Sequence, residues 1–186
     1  FFVAIGLADH LGYIDSGWDH RFDFTVLPHN LLLIQAWGTT QHLTFNYVAW
    51  TLSAEWFCYL LFPLIVLAFR KGGRVGLAGL ALAVALCLEA ASMAEIIPDA
   101  HWLETTSWGA FRAFADFAAG SLIAVMMRDS GWTLRSHLPG WLVFVASITA
   151  MLLQQNAYLV LGLLALSIYL SSLAERNNPE ASSFLR

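Results

Sequence analysis

Apolar runs the length of a bilayer constrain this chain more than any other feature. A helix needs about 20 predominantly apolar residues to cross a hydrocarbon core of about 30 Å. Such runs cover residues 49–69, 75–97, 108–127 and 157–174. A shorter run covers 141–154, which a tilted or slightly extended helix can bring across. Residues 1–8, "FFVAIGLA", read as the last turns of a further helix. The expected fold is all-α, a polytopic transmembrane helical bundle of about five spans plus a helix stub. Residues 1–186 are expected to form a single membrane domain.

Composition agrees with lipid as the main solvent. The chain is 59% hydrophobic and 12% charged, against about 25% charged for a soluble domain. Its net charge of -4 supplies no basic patch, which argues against nucleic acid as a partner. Cys58 and Cys87 lie inside apolar runs without a C-x-x-C neighbour and read as two small buried residues. The histidines show no metal-ligand spacing, so no metal is expected. The chain opens on Phe1 with no charged region before an apolar core, which does not fit a signal peptide. It reads as an internal piece of a longer membrane protein.

The loops give an orientation. "RKGGR" at 70–74 follows the first full span and marks a cytoplasmic end, with Gly72 and Gly73 punctuating a tight loop. "PDAHWLETTS" carries no Lys or Arg and is expected outside, while "RDSGWTLRSH" and the tail with Arg176 and Arg186 return inside. The long polar stretch "DHLGYIDSGWDHRFDFTVLPHN" falls outside as a long outer loop. It is followed by "LLLIQAW", too short to span and suited to a short interfacial or re-entrant helix. Trp102, Trp108, Trp132 and Trp141 stand at span ends and are expected in aromatic belts. Pro63 is expected to kink the first span.

Four ionisable residues interrupt the spans: Glu55, Glu89, Arg112 and Asp116. Insertion of a charge at a helix centre costs about 2.5–3.5 kcal/mol, so such groups face a bundle interior, pair, or line a wet cavity. With the orientation above, all four fall in the outer half of the bilayer, which a shared outward-facing polar pocket explains. Thr51, Glu55 and Tyr59, at i, i+4 and i+8, share a helix face, and Tyr59 can donate to Glu55. Arg112 can pair with Asp116 on its own helix, or across helices with Glu55, or touch an anionic substrate. Glu89 reads as a snorkelling or partly wet residue. Loop histidines such as His101 read as solvated.

The stretch "NYVAWTLSAEWFCYLLFPL" resembles the signature of the acyltransferase family 3 membrane proteins, N-x-x-x-W-S-L-S-x-E-x-x-x-Y-L-x-x-P. The matches are Asn46, Trp50, Leu52, Ser53, Glu55, Tyr59, Leu60 and Pro63, with Thr51 in place of Ser. "RAFADFAAGSLIA" is similar to the family's R-x-x-x-x-F-x-x-G element through Arg112, Phe117 and Gly120. The resemblance implies a fragment of an O-acyltransferase domain of about ten helices in a bacterial inner (plasma) membrane. It implies transfer of an acyl group, often acetyl, from acyl-CoA to a hydroxyl of a carbohydrate or glycolipid. Acyl-CoA is the donor substrate, and no bound cofactor is expected. The family's histidine base and its R-x-x-R element do not occur in this sequence, so the fragment is expected to be inactive alone.

Glu55 and Arg112 are the catalytic candidates. Glu55 would hold a base or an acceptor hydroxyl, and Arg112 would stabilise charge on the acyl carbonyl. Asn46, Trp50, Thr51, Ser53, Trp56 and Tyr59 are the substrate-binding candidates, with Trp50 and Trp56 able to stack on a sugar ring. The competing class is a transporter or channel subunit, since intramembrane carboxylates also mark ion paths. An inert scaffold bundle held by ion pairs is a third reading.

Overall fold

The structure, a computed structural model, describes residues 7–8, 11–13, 23–40, 44–45, 48–97, 101–103 and 107–175. The regular elements among them are helical. Asp23 opens the first one by accepting from the Thr25 amide and hydroxyl, at 2.9 and 2.6 Å. Those bonds hold its carboxyl below the usual pKa, since they stabilise the charged form. A 3₁₀ turn at Phe24–Val26 runs into α1 (Leu27–Leu31), with Pro28 in the first turn, where a missing N–H costs nothing. Next come a short wide turn, Gln35–Thr39, and then α2 (Ala49–Met93), α3 (Gly109–Asp129), α4 (Leu138–Leu152) and α5 (Ala157–Glu175).

Helices α2, α3 and α5 are long and apolar enough to cross a membrane, and α4 is a shorter apolar helix of 15 residues. A straight helix of 45 residues would reach about 67 Å, over twice the hydrocarbon thickness. Helix α2 is not straight. Gly73 sits at φ 56° and ψ -135°, a conformation open to glycine and strained for any side chain. Beyond it the chain folds back. A Cβ on Gly76 would run into the Ala68 carbonyl oxygen, whereas residues eight apart in one helix are separated by about 12 Å. The expected first and second spans are therefore two legs of α2, with Arg70, Lys71 and Arg74 exposed at the turn. The backbone stays helical through Pro63 and leaves helical space at Gly73, in the tight loop expected there. In the first leg the proline lacks one N–H, but the glycine is where the backbone leaves helical space.

The contacts divide the chain into two compact units, residues 1–118 and 119–186. In the first, the Gln35–Thr39 turn wedges against the starts of α2 and α3. Ala36, Ala54 and Ala110 are buried together, small enough to let three backbones approach. Trp37 and Phe57 close over them, and Phe57 meets the Trp37 and Phe111 rings edge-to-face at 5.1 and 4.8 Å. Within "LLLIQAW" Gln35 and Ala36 are the wedge, at 1% and 0% exposure, while Leu31 and Leu32 stay exposed at its start. In the second unit, α4 and α5 pack as a hairpin through small residues. The Ser167 hydroxyl donates to the Gly140 carbonyl at 3.0 Å, and a Cβ on Gly140 would meet Ser171.

Three expectations need correction. Trp102, expected in an aromatic belt, is 2% exposed and packs with Leu88, Ile97 and Ala115, while its indole N–H finds an acceptor in the partly exposed Glu89. Cys87, expected buried, is exposed, since it lies beside Leu86 on the outward face of the second leg. Trp108 packs over Gly38 of the wedge, while Trp132 and Trp141 are exposed as belt residues would be.

Candidate functional site

The first leg of α2 presents residues 51, 54, 55, 58 and 59 on one stripe, the i, i+3, i+4, i+7, i+8 spacing of a single helix face. Opposite, α3 presents Ala113, Asp116 and Phe117. Together with Trp50 they line a cleft of about 550 Å³. Small residues make the opening: Ala54 and Ala113 leave space that larger side chains would fill. Close approach of the two helix starts depends on Gly109, where a Cβ would lie 2.9 Å from the Trp50 ring.

Inside the cleft the Tyr59 hydroxyl donates to Oε1 of Glu55, as their spacing predicts. The second oxygen, Oε2, has no protein donor among the described residues. Thr51 donates to the Val48 carbonyl at 2.8 Å, which ties its hydroxyl to the backbone one turn back. Two carboxylates, Glu55 and Asp116, therefore face a space bounded by the Trp50, Tyr59 and Phe117 rings. Hydroxyl groups can donate to such carboxylates, while flat apolar rings can lie on the aromatic faces.

The expected site residues divide. Trp50, Thr51, Glu55 and Tyr59 line the cleft. Ser53 does not: it is 0% exposed, and its Oγ accepts from the Ala36 amide at 3.2 Å while its carbonyl accepts from Trp37 Nε1 at 3.1 Å. Two residues along a helix is about 200° around it, so Ser53 turns away from the Thr51–Glu55 face toward the wedge. Trp56 is exposed on another face and is absent from the lining. Asn46 lies outside the described residues.

Arg112 also points elsewhere. Its Nη1 donates to the Leu103 carbonyl, and no ion pair joins it to Glu55 or Asp116 among the described residues. It stands in the first turn of α3, so its long side chain reaches the loop carbonyl more easily than the deeper carboxylates. Glu89 is partly exposed, as expected of a partly wet residue, and it accepts from Trp102 Nε1 at 2.9 Å, with His101 Nε2 3.4 Å from the same oxygen. His101 is thus held at this carboxylate, where simple solvation was expected. Asp116, expected in a polar pocket shared with Glu55, lines the cleft with it, whereas Cys58 was not among the site candidates. The signal for both was present, because each shares a helical face with residues that line the cleft.

A family model described as an acyltransferase domain, that of acyltransferase family 3, matches residues 1–183. Neither a curated protein nor a solved structure matches the chain.

Proposed function

The chain belongs to acyltransferase family 3, and from that premise we propose that it serves O-acyl transfer from acyl-CoA to a hydroxyl of a carbohydrate or lipid-linked glycan. Family and helices together make an acyl-group transferase domain whose helices suit a bilayer. One observation supports transfer to a hydroxyl. A carboxylate stands in a cleft between apolar helices, held on one oxygen by Tyr59 and accessible beside an aromatic wall. A group of that kind is expensive in a membrane protein and is functional by default.

The chemistry asked of the site is simple. The acceptor oxygen attacks the thioester carbonyl and gives up its proton, the carbon–sulfur bond breaks, and CoA leaves as a thiolate that takes a proton. In this reading Tyr59 fixes Glu55, and Glu55 Oε2 takes the hydrogen bond of the acceptor hydroxyl and aims its oxygen. Trp50 gives a sugar ring a flat contact without charge. Asp116 supplies a second acceptor for a neighbouring hydroxyl. Arg112, committed to Leu103, has no step here. The orientation drawn from the loop charges puts the cleft on the outer side, where a glycan acceptor arrives.

The test uses the full-length protein in proteoliposomes with radiolabelled acetyl-CoA and a set of oligosaccharide and glycolipid acceptors. Label entering an ester on the acceptor, with matching release of CoA, supports the reading. Uptake of the acceptor without acylation would assign the cleft to transport instead.

A further inference from the structure

The back of α3 carries a second cluster that the cleft does not use. Three residues, His101 to Leu103, cross between the second leg of α2 and α3, and they are laced to both. The Trp102 amide donates to Ser92 Oγ at 3.0 Å, and its indole Nε1 donates to Glu89 Oε2 at 2.9 Å. His101 Nδ1 accepts from the Leu103 amide at 3.2 Å, which leaves the proton on Nε2, 3.4 Å from the same Glu89 oxygen. Leu103 in turn gives its carbonyl to Arg112, in the first turn of α3. Apolar packing follows the polar lacing: Trp102 and Leu88 are buried against Ala115, with Phe111 beside them.

The helical wheel gives this cluster its meaning. Phe111 and Ala115 lie on the side of α3 opposite Ala113, Asp116 and Phe117, the residues that wall the cleft. Whatever fixes the back of α3 therefore sets where its front stands. We propose that Glu89 is a positioning residue for the cleft: through Trp102 and His101 it pins the 101–103 loop and, with it, the α3 wall that faces Glu55. The inference rests on the reading of the cleft as the acceptor site, but its geometric part can be read without any reaction. Cys58 lines the cleft and is 7% exposed, so its reactivity reports the opening directly.

The experiment takes full-length protein in proteoliposomes with Cys58 as its only cysteine, Cys87 and every cysteine outside residues 1–186 being replaced by Ser. The rate of Cys58 alkylation by N-ethylmaleimide and the acceptor kinetics are measured for Glu89→Ala, Trp102→Phe and Glu89→Gln. Glu89→Ala and Trp102→Phe should each change the Cys58 rate severalfold. Each should also lower kcat/KM for the acceptor by about 10- to 100-fold, through KM rather than kcat. Glu89→Gln keeps an oxygen for the indole and should stay near wild type on both readouts. A Cys58 rate unchanged in both Glu89→Ala and Trp102→Phe overturns the proposal. So does a loss of membrane-inserted protein with KM and the Cys58 rate of the remainder untouched, which is the mark of a merely structural anchor. If the wild type transfers no acyl group, the functional reading fails, and the Cys58 rates alone decide whether Glu89 sets the wall.

Discussion

At the scale of single residues, neighbouring positions on α2 do opposite jobs. Glu55 and Ser53 are two residues apart, yet one faces the cleft and the other is fully buried under the wedge. Tyr59 is the partner that gives Glu55 a fixed direction. Tyr59→Phe removes that bond while keeping the ring. A hydrogen bond to a charged group contributes about 1.5–3 kcal/mol. If the acceptor relies on the orientation it provides, acyl transfer should fall by about tenfold or more, with membrane levels unchanged on an immunoblot. Ser53→Ala should behave differently. It leaves the buried Ala36 amide without its acceptor and should cost about 1–3 kcal/mol of stability, seen as a lower thermal midpoint in detergent. The sequence shows Ser53 and Glu55 as parts of one motif, and only the 100° step per residue separates their roles.

Among the elements, α2 decides the architecture. Its two legs were legible in the sequence, because two apolar runs flank a basic, glycine-containing turn, and charge and chain length both demand a reversal there. Gly73 is the residue that allows it. Gly73→Val should cost about 1–3 kcal/mol in backbone strain, measured as a lower thermal midpoint, whereas Gly72→Ala, where a Cβ meets no atom, should cost much less. What was not legible is the tertiary wiring of polar tips. Trp102 and Arg112 sit at helix ends, where belts and snorkelling are the usual outcome, and nothing local in the sequence announces that they bond to Glu89 and Leu103. The wedge was equally hidden. "LLLIQAW" is apolar enough for an interface with lipid, as its exposed Leu31 and Leu32 are, and the burial of Gln35 and Ala36 depends on Ala36, Ala54 and Ala110 meeting from three distant segments.

For the molecule as a whole, the family match over residues 1–183 and the apolar helices place the cleft in an acyltransferase built for a bilayer. The site was partly legible: a carboxylate in a greasy run, with hydroxyl and aromatic neighbours on its helical face, is conspicuous on energetic grounds alone. Its far wall, Asp116 and Phe117 on α3, needed the fold to bring it across. The role proposed for the Glu55 carboxylate is to handle the acceptor hydroxyl. The most direct measurement is acceptor-dependent transfer of labelled acetyl from acetyl-CoA by the full-length protein in proteoliposomes, comparing wild type with Glu55→Gln at matched protein levels. The amide can still accept the Tyr59 hydroxyl, so the cleft should keep its shape while losing its charge. That role predicts a fall in transfer rate of about 100-fold or more. Transfer by Glu55→Gln at the wild-type rate would contradict it.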